Sequence, residues 1–466
     1  MADMHTKDLT TGSPMKLILS FMLPLVFGLL FQQVYSMVDT IVVGKFLGVD
    51  ALAGVGSTGS ITFLVLGLCN GVCAGFAIPV AQKFGQRDFD GLRRFVGNMI
   101  WLGCVIAAAV TLVTTLLCRQ ILLWMDTPAD TFSYAYDYIF VIFLGIPATM
   151  LYNLLSGILR SLGDSKTPLV FLIMCSLLNV ALDIVFILTL NMGVAGAGWA
   201  TLLSQLISGV LCLYFIVKKF PILHLKQDDL RLRKIYVRKL LNMGLPMGLQ
   251  YSITAVGSIL LQTAVNGLGA TAMAAIAAGS RVSMLLVCPF DAMGTTAATY
   301  AGQNLGAGKL DRIHQGVKDC TVLGIIISAA IFVITWFGGS AMTTLFLDTA
   351  DGASVDMVVP MGQQFLLINA AFAIPLLFVN LLRFTIQGLG YSTLAMMAGV
   401  AEMVARTVIA LVLIPVLGYF GAELSNPVAW VAACLFLYPA YLWTVKHLEN
   451  RLLAGHLAMR HSAVGD

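Results

Sequence analysis

Apolar residues run along this chain in stretches of about 20 or more, the length a helix needs to cross the hydrocarbon core of a bilayer. Short polar or glycine-rich breaks part the stretches. The pattern predicts twelve helices, at roughly 16–46, 51–83, 93–118, 132–157, 167–190, 195–219, 237–266, 271–304, 314–345, 356–386, 392–416 and 421–446. Several exceed a minimal span and are expected to tilt or to project beyond the membrane.

The pattern also repeats. Leu23 and Pro24 recur as Leu245 and Pro246, and Gly48 with ALA at 51–53 recurs as Gly269 with AMA at 272–274. QKFGQRDFD from Gln82 parallels QNLGAGKLD from Gln303, and LGDS from Leu162 parallels LGYS from Leu389. Six helices therefore repeat as six with the same orientation, an arrangement in which two halves are related by an axis along the membrane normal and hold a site at their interface. The expected organisation is an N-terminal lobe at 1–219, a basic linker at 220–236 and a C-terminal lobe with its tail at 237–466.

Composition agrees with a polytopic membrane protein: 59% of residues are hydrophobic and 11% charged, against about 25% charged in a soluble domain. The net charge of +4 does not indicate a nucleic-acid partner, because the cations collect in alternate loops. One loop holds Lys83, Arg87, Arg93 and Arg94; others hold Arg160 and Lys166, the Lys218–Lys239 segment, and Lys309 with Arg312. The positive-inside rule makes these loops and both termini cytoplasmic in a cell membrane, while Asp348, Asp351 and Asp356 mark the opposite side. The linker reads as a solvated basic segment, with a membrane-surface helix as its alternative. The first apolar run is too long for the core of a cleavable signal peptide, so the first helix is expected to serve as its own targeting signal.

Other chemistry finds little footing. The nine cysteines include no CxxC and read as small hydrophobes. The six histidines (His5, His224, His314, His447, His456, His461) fall in expected tails or loops and form no zinc or catalytic set. GVGSTG at 54–59 lies in a membrane helix with no preceding strand, and GQNLGAGKL departs from a phosphate-binding loop at Gln303 and Leu310. No enzyme activity, organic cofactor or nucleotide motor is expected.

The polar residues within the spans remain. Asp39, in QQVYSMVDTIVVGKF, sits where a charge costs about 2.5–3.5 kcal/mol on insertion scales, so it is a functional candidate by default. Gln32, Tyr35 or Ser36, and Asp39 share a helix face, as do Asn179 and Asp183; Thr201 begins the sixth helix from the same side. Carboxylate, amide and hydroxyl oxygens together suit a hard cation, whereas the structural alternative is a set of interhelical hydrogen bonds. The second half lacks this set: Leu260 or Leu261 stands for Asp39, Arg406 for Asn179 and Ala410 for Asp183. Glu402 and Arg406, four apart, read as a mutually neutralising pair, and Asp291 either faces a cleft or pairs with Arg281.

Twelve helices in a six-plus-six repeat, a first helix reading P...QQVYSMVDTIVVGKFLG, then QKFG, GILRSLGDSKTP and LLNVALDIVF, resemble the multidrug and toxic compound extrusion (MATE) family. The resemblance implies an all-α polytopic protein with a V-shaped pair of six-helix lobes. It further implies export of organic, often cationic, compounds in exchange for Na+ or H+. By resemblance Asp39, Asn179, Asp183 and Thr201 match a cation or protonation site, with Asp39 and Asp183 as the Na+ ligands. Gln32 and Asn153 match the drug cleft, to which Tyr35, Ser36 and Asp291 are added as candidates. Flippases of the same superfamily share the helix plan, so a lipid-linked or metabolite substrate is the alternative. One chain carries both repeats, and a functional monomer is expected.

Overall fold

Breaks in the backbone ladder, more than its continuous runs, give this chain its shape. The computed structural model describes residues 6–347 and 352–463, apart from the side chains of Val49, 352–355 and 452–463. Asp348, Asp351 and His5, and the side chains of His456 and His461, lie outside the described residues.

The first half runs through α1 (Pro14–Leu47), α2 (Val49–Ser57), α3 (Gly59–Gly85), α4 (Phe89–Leu116), α5 (Cys118–Trp124), α6 (Phe132–Leu144), α7 (Ile146–Ser161), α8 (Lys166–Ile184) and α9 (Gly193–Lys219). The second runs through α10 (Lys234–Asn266), α11 (Ala270–Gly306), α12 (Leu310–Thr344), α13 (Gly352–Ala371), α14 (Ala373–Gly388), α15 (Ser392–Val408), α16 (Ile414–Leu417), α17 (Tyr419–Glu423) and α18 (Ser425–Ala463). Among the described residues ten helices are long and apolar enough to cross a membrane. Two bent pairs bring the number to twelve: α6 with α7 at 46°, and α13 with α14 at 52°.

The bends have local causes. Pro147 enters the first turn of α7, and Pro375 lies near the start of α14; each lacks the N–H that would continue the preceding ladder. The second predicted helix divides at Thr58, where the Ser57 and Thr58 hydroxyls donate to the Gly54 and Val55 carbonyls, both at 2.7 Å. A π turn at Val185–Thr189 follows α8, and a matching one at Ile409–Leu413 follows α15, so the repeat extends to this local irregularity.

The contacts divide the chain into two compact units. The first takes in residues up to Asp8, Ser20–Phe84 and Asp88–Ala255; the second takes in Leu9–Leu19, Gly85–Arg87 and Val256 onward. In the first unit, Phe76, Leu92, Met99, Leu159 and Phe220 are fully buried in one core. Glycines at Gly71 and Gly75 let α3 approach the α10 backbone closely.

The linker keeps much of its length exposed and is also docked on α4. Asn98 on α4 donates to the Arg231 carbonyl at 3.2 Å and accepts from the Arg233 amide at 3.0 Å, and Trp101 Nε1 donates to the Leu230 carbonyl at 3.0 Å. Arg93 lies 3.5 Å from the buried Asp229 carboxylate. Apolar side chains and unpaired backbone groups in a linker find partners wherever a neighbouring helix offers them.

In the second unit, the chain from Leu9 to Gly12 is held by the QNLGAGKLD segment and the Arg312 that follows it. The Leu9 amide donates to Gln303 Oε1 at 2.9 Å, and Arg312 donates to the Gly12 carbonyl at 2.9 Å and to Asn304 Oδ1 at 3.0 Å. Two histidines depart from the expectation of tails and loops: His314 lies in α12, and His447 in α18 stacks on Trp443 at 5.1 Å. The helices extend past the apolar windows that define the spans. All nine cysteines are free.

Candidate functional site

Asp39, Asn179, Asp183 and Thr201 all belong to the first unit. Val42, Val43 and Ala51 pack with Ile187, Val194 and Ala197 in one apolar cluster, against which Val38 and Tyr138 also lie. That cluster holds the second half of α1 against the π turn and α9. Small residues permit the approach: a Cβ on Gly198 would meet Val141 Cβ at 2.9 Å and the Tyr138 carbonyl at 3.3 Å, so only glycine admits α6 this close to α9.

Four side chains from three helices result. Asp183 is 0% exposed and Asn179 1% exposed, while Asp39 and Thr201 are half-buried. Asn179 donates from Nδ2 to Thr201 Oγ1 at 3.2 Å. The Asp39 and Asp183 carboxyl groups stand within each other's electrostatic reach, and Tyr35 and Tyr138 flank both. Asp39 Oδ1, Asn179 Oδ1 and both Asp183 oxygens are buried without a hydrogen-bond donor.

An excess of buried acceptors is chemistry that suits a proton or a cation. Two carboxyl groups so placed do not both carry charge without a counter-ion. Among the described residues no group of three or more His, Cys, Asp or Glu forms a metal site, so any cation here would be held by the two acids with amide and hydroxyl oxygens.

The remaining sequence candidates are distributed differently. Tyr35 stands with the acid pair, whereas Gln32 and Ser36 are exposed. Asn153 is half-buried and donates to Asn70 Oδ1 at 2.9 Å and to the Thr149 carbonyl at 2.8 Å. Asp291 belongs to the second unit; it is exposed and sits in the field of Arg383.

Three residues escaped the sequence reading. Tyr138 reaches the acid pair from α6, and no periodicity within α6 announces it. Arg383 donates to Glu402 Oε1 and so displaces Arg406 as the principal partner; Arg406 stays 4.0 Å from Glu402 and donates to Ser258 at 3.3 Å. Glu423, in α17, is 0% exposed. Its signal was available, because GYFGAE at 418–423 repeats GVAGAG at 193–198 with the acid in place of Gly198.

The family model MatE matches residues 24–185 and 246–412, once in each half. The chain belongs to the MatE family. This MATE protein is thus a multi-pass membrane transporter, not an enzyme, with an all-helical fold of two repeats. It is 28% identical over 382 residues to the probable multidrug resistance protein YpnP of Bacillus subtilis, covering 81% of this chain and 83% of that protein. It is 22% identical over 335 residues to the FAD transporter of Shewanella oneidensis, covering 71% and 74%. A crystal structure of MATE in complex with MaL6 superposes with a TM-score of 0.86 at 21% identity, over 95% of this chain and 99% of that one.

Proposed function

We propose that this MATE transporter is an antiporter that exports organic, cationic amphipathic compounds in exchange for Na+ or H+ by alternating access. The observation that carries the reading is the buried Asp39 and Asp183 pair with its unpartnered oxygens. Ionised, the pair favours a cationic substrate in the inward-facing state. From outside, Na+ or H+ takes the carboxylates, with Asn179 and Thr201 supplying the amide and hydroxyl, and affinity for the substrate falls. Gln32, Ser36, Asn153 and Asp291 are the proposed substrate contacts. Pro24, inside α1, removes a ladder hydrogen bond and gives that helix a place to bend.

One charge moving through about 150 mV is worth roughly 3.5 kcal/mol, enough for a substrate gradient of about 300-fold. The cation-rich loops orient both termini to the cytoplasm of the cell membrane, and one chain with both repeats acts as a monomer.

The test is efflux of ethidium from energised cells at matched expression. Asp39→Asn and Asp183→Asn are each expected to abolish ion-dependent efflux; unchanged ion-coupled efflux in both would overturn the assignment.

A second reading is export of an anionic metabolite. Two buried arginines, Arg383 and Arg406, face the single carboxylate of Glu402, and a relative is named an FAD transporter. Saturable, gradient-driven flux of a phosphorylated metabolite without ethidium transport would favour it.

A further inference from the structure

Glu423 lies in α17, the short turn of helix between the eleventh and twelfth spans, wholly within the second unit. Gly418, at φ +58°, turns the chain into it. Its side chain is fully buried. Oε2 accepts from Gln364 Nε2 on α13 at 3.2 Å, and Oε1 has no partner.

Among the described residues no Lys, Arg or His forms an ion pair with Glu423, and the undescribed connection before α13, Asp348 to Asp351, contains none in its sequence. The groups around it are otherwise neutral. Tyr419 donates to the Met361 carbonyl at 2.9 Å, and Asn426 donates to Asn369 Oδ1 at 3.1 Å. The π turn and α16 bring only apolar side chains, and Asp356, two turns before Gln364, is exposed. An ionised Glu423 would therefore be a lone buried charge, a state that costs several kcal/mol and that a carboxyl group avoids by taking a proton.

A metal ion fits less well. A hard cation needs several converging oxygens, and the polar contact made by this carboxylate is with one amide. Burial pushes the Glu423 carboxyl up to about 7, so the proton it takes exchanges near neutral pH.

We propose that Glu423 is a second proton-carrying group of this transporter, set in the C-terminal unit and independent of Asp39 and Asp183. The proposal rests on the coupled-antiport reading and adds to it a proton taken from water at the outer face and released when the carboxyl ionises. The repeat gives it a consistent place. Glu423 stands 225 residues after Gly198, and Asn426 stands 225 after Thr201, so the second half carries its acid just ahead of its last span, three residues before the position that matches the Thr201 hydroxyl of the acid-pair site.

Infrared spectroscopy of the purified full chain tests this without transport. In the wild-type minus Glu423→Gln difference, a protonated-carboxyl C=O band is expected at low pH, titrating away with a midpoint near 7. Gln364→Leu removes the one donor to the ionised form and is expected to move that midpoint upward. In proteoliposomes carrying ethidium, Glu423→Gln is expected to move one proton fewer per substrate, read from the reversal potential. A difference spectrum showing only ionised carboxylate from about pH 5 to about pH 9, or a stoichiometry equal to wild type, would overturn the proposal. Failure of the first reading looks different: Asp39→Asn would then keep full coupling while the Glu423 band still titrates.

Discussion

Asn179 on α8 donates its amide to the Thr201 hydroxyl on α9 at 3.2 Å, leaving Asn179 Oδ1 without a donor one helical turn from Asp183. The bond fixes which way the amide faces, and so whether the site presents an oxygen or an N–H to an ion. A rotation of the amide would replace an acceptor with a donor and make the site repel cations.

Thr201→Val removes that acceptor while keeping the shape. A stranded amide donor costs about 1–3 kcal/mol, and a loss of about 1–2 kcal/mol in ion binding raises the half-saturating ion concentration roughly 5- to 30-fold. Thr201→Ser is expected to restore it. The ion dependence of ethidium efflux measures both.

Glu402→Gln strips buried Arg383 and Arg406 of the carboxylate both approach, leaving Arg383 the more distant charge of Asp291. Breaking such a set destabilises by about 3–5 kcal/mol. Arg406→Met is expected to do less, because Glu402 keeps Arg383. Thermal melting of the detergent-solubilised protein should rank them in that order.

Gly75→Ala places a Cβ 2.6 Å from Gly244 Cα and from the Met243 carbonyl. Both are backbone atoms, so the helices must move apart, at about 1–3 kcal/mol. Gly56→Ala meets nothing within 4 Å and is expected to be neutral or slightly stabilising. Equal melting temperatures for the two variants would contradict the close α3–α10 approach.

Asp88 caps α4 by accepting from the Gly91 amide at 2.9 Å, and it pairs with Lys83 at 2.6 Å. The Lys83 ammonium first, and then the Gly91 amide, hold its carboxyl below the usual range. A carboxyl lower in the folded than in the unfolded state stabilises above the unfolded value near about 4, and that contribution fades as pH falls through the folded value. Asp88→Ala is expected to lose about 1 kcal/mol at neutral pH, with the gap to wild type closing in acid. Melting curves across pH check the sign.

Much of this protein is determined by local pattern. Runs of apolar residues set the twelve spans, and the shift of Leu23–Pro24 to Leu245–Pro246 reveals the repeat, because both are properties of neighbouring residues along one strand of text. Asp39 and Asp183 stood out for the same reason: a charge within an apolar run is visible wherever its partners lie. Tertiary structure decided the rest. That Arg383 meets Glu402, that Tyr138 joins the acid pair, that the linker docks on α4 and that Glu423 is buried with no ion pair among the described residues depend on which helix faces come together. Such pairings join residues far apart in the chain, and helical periodicity specifies which face a side chain occupies but not the helix it will meet.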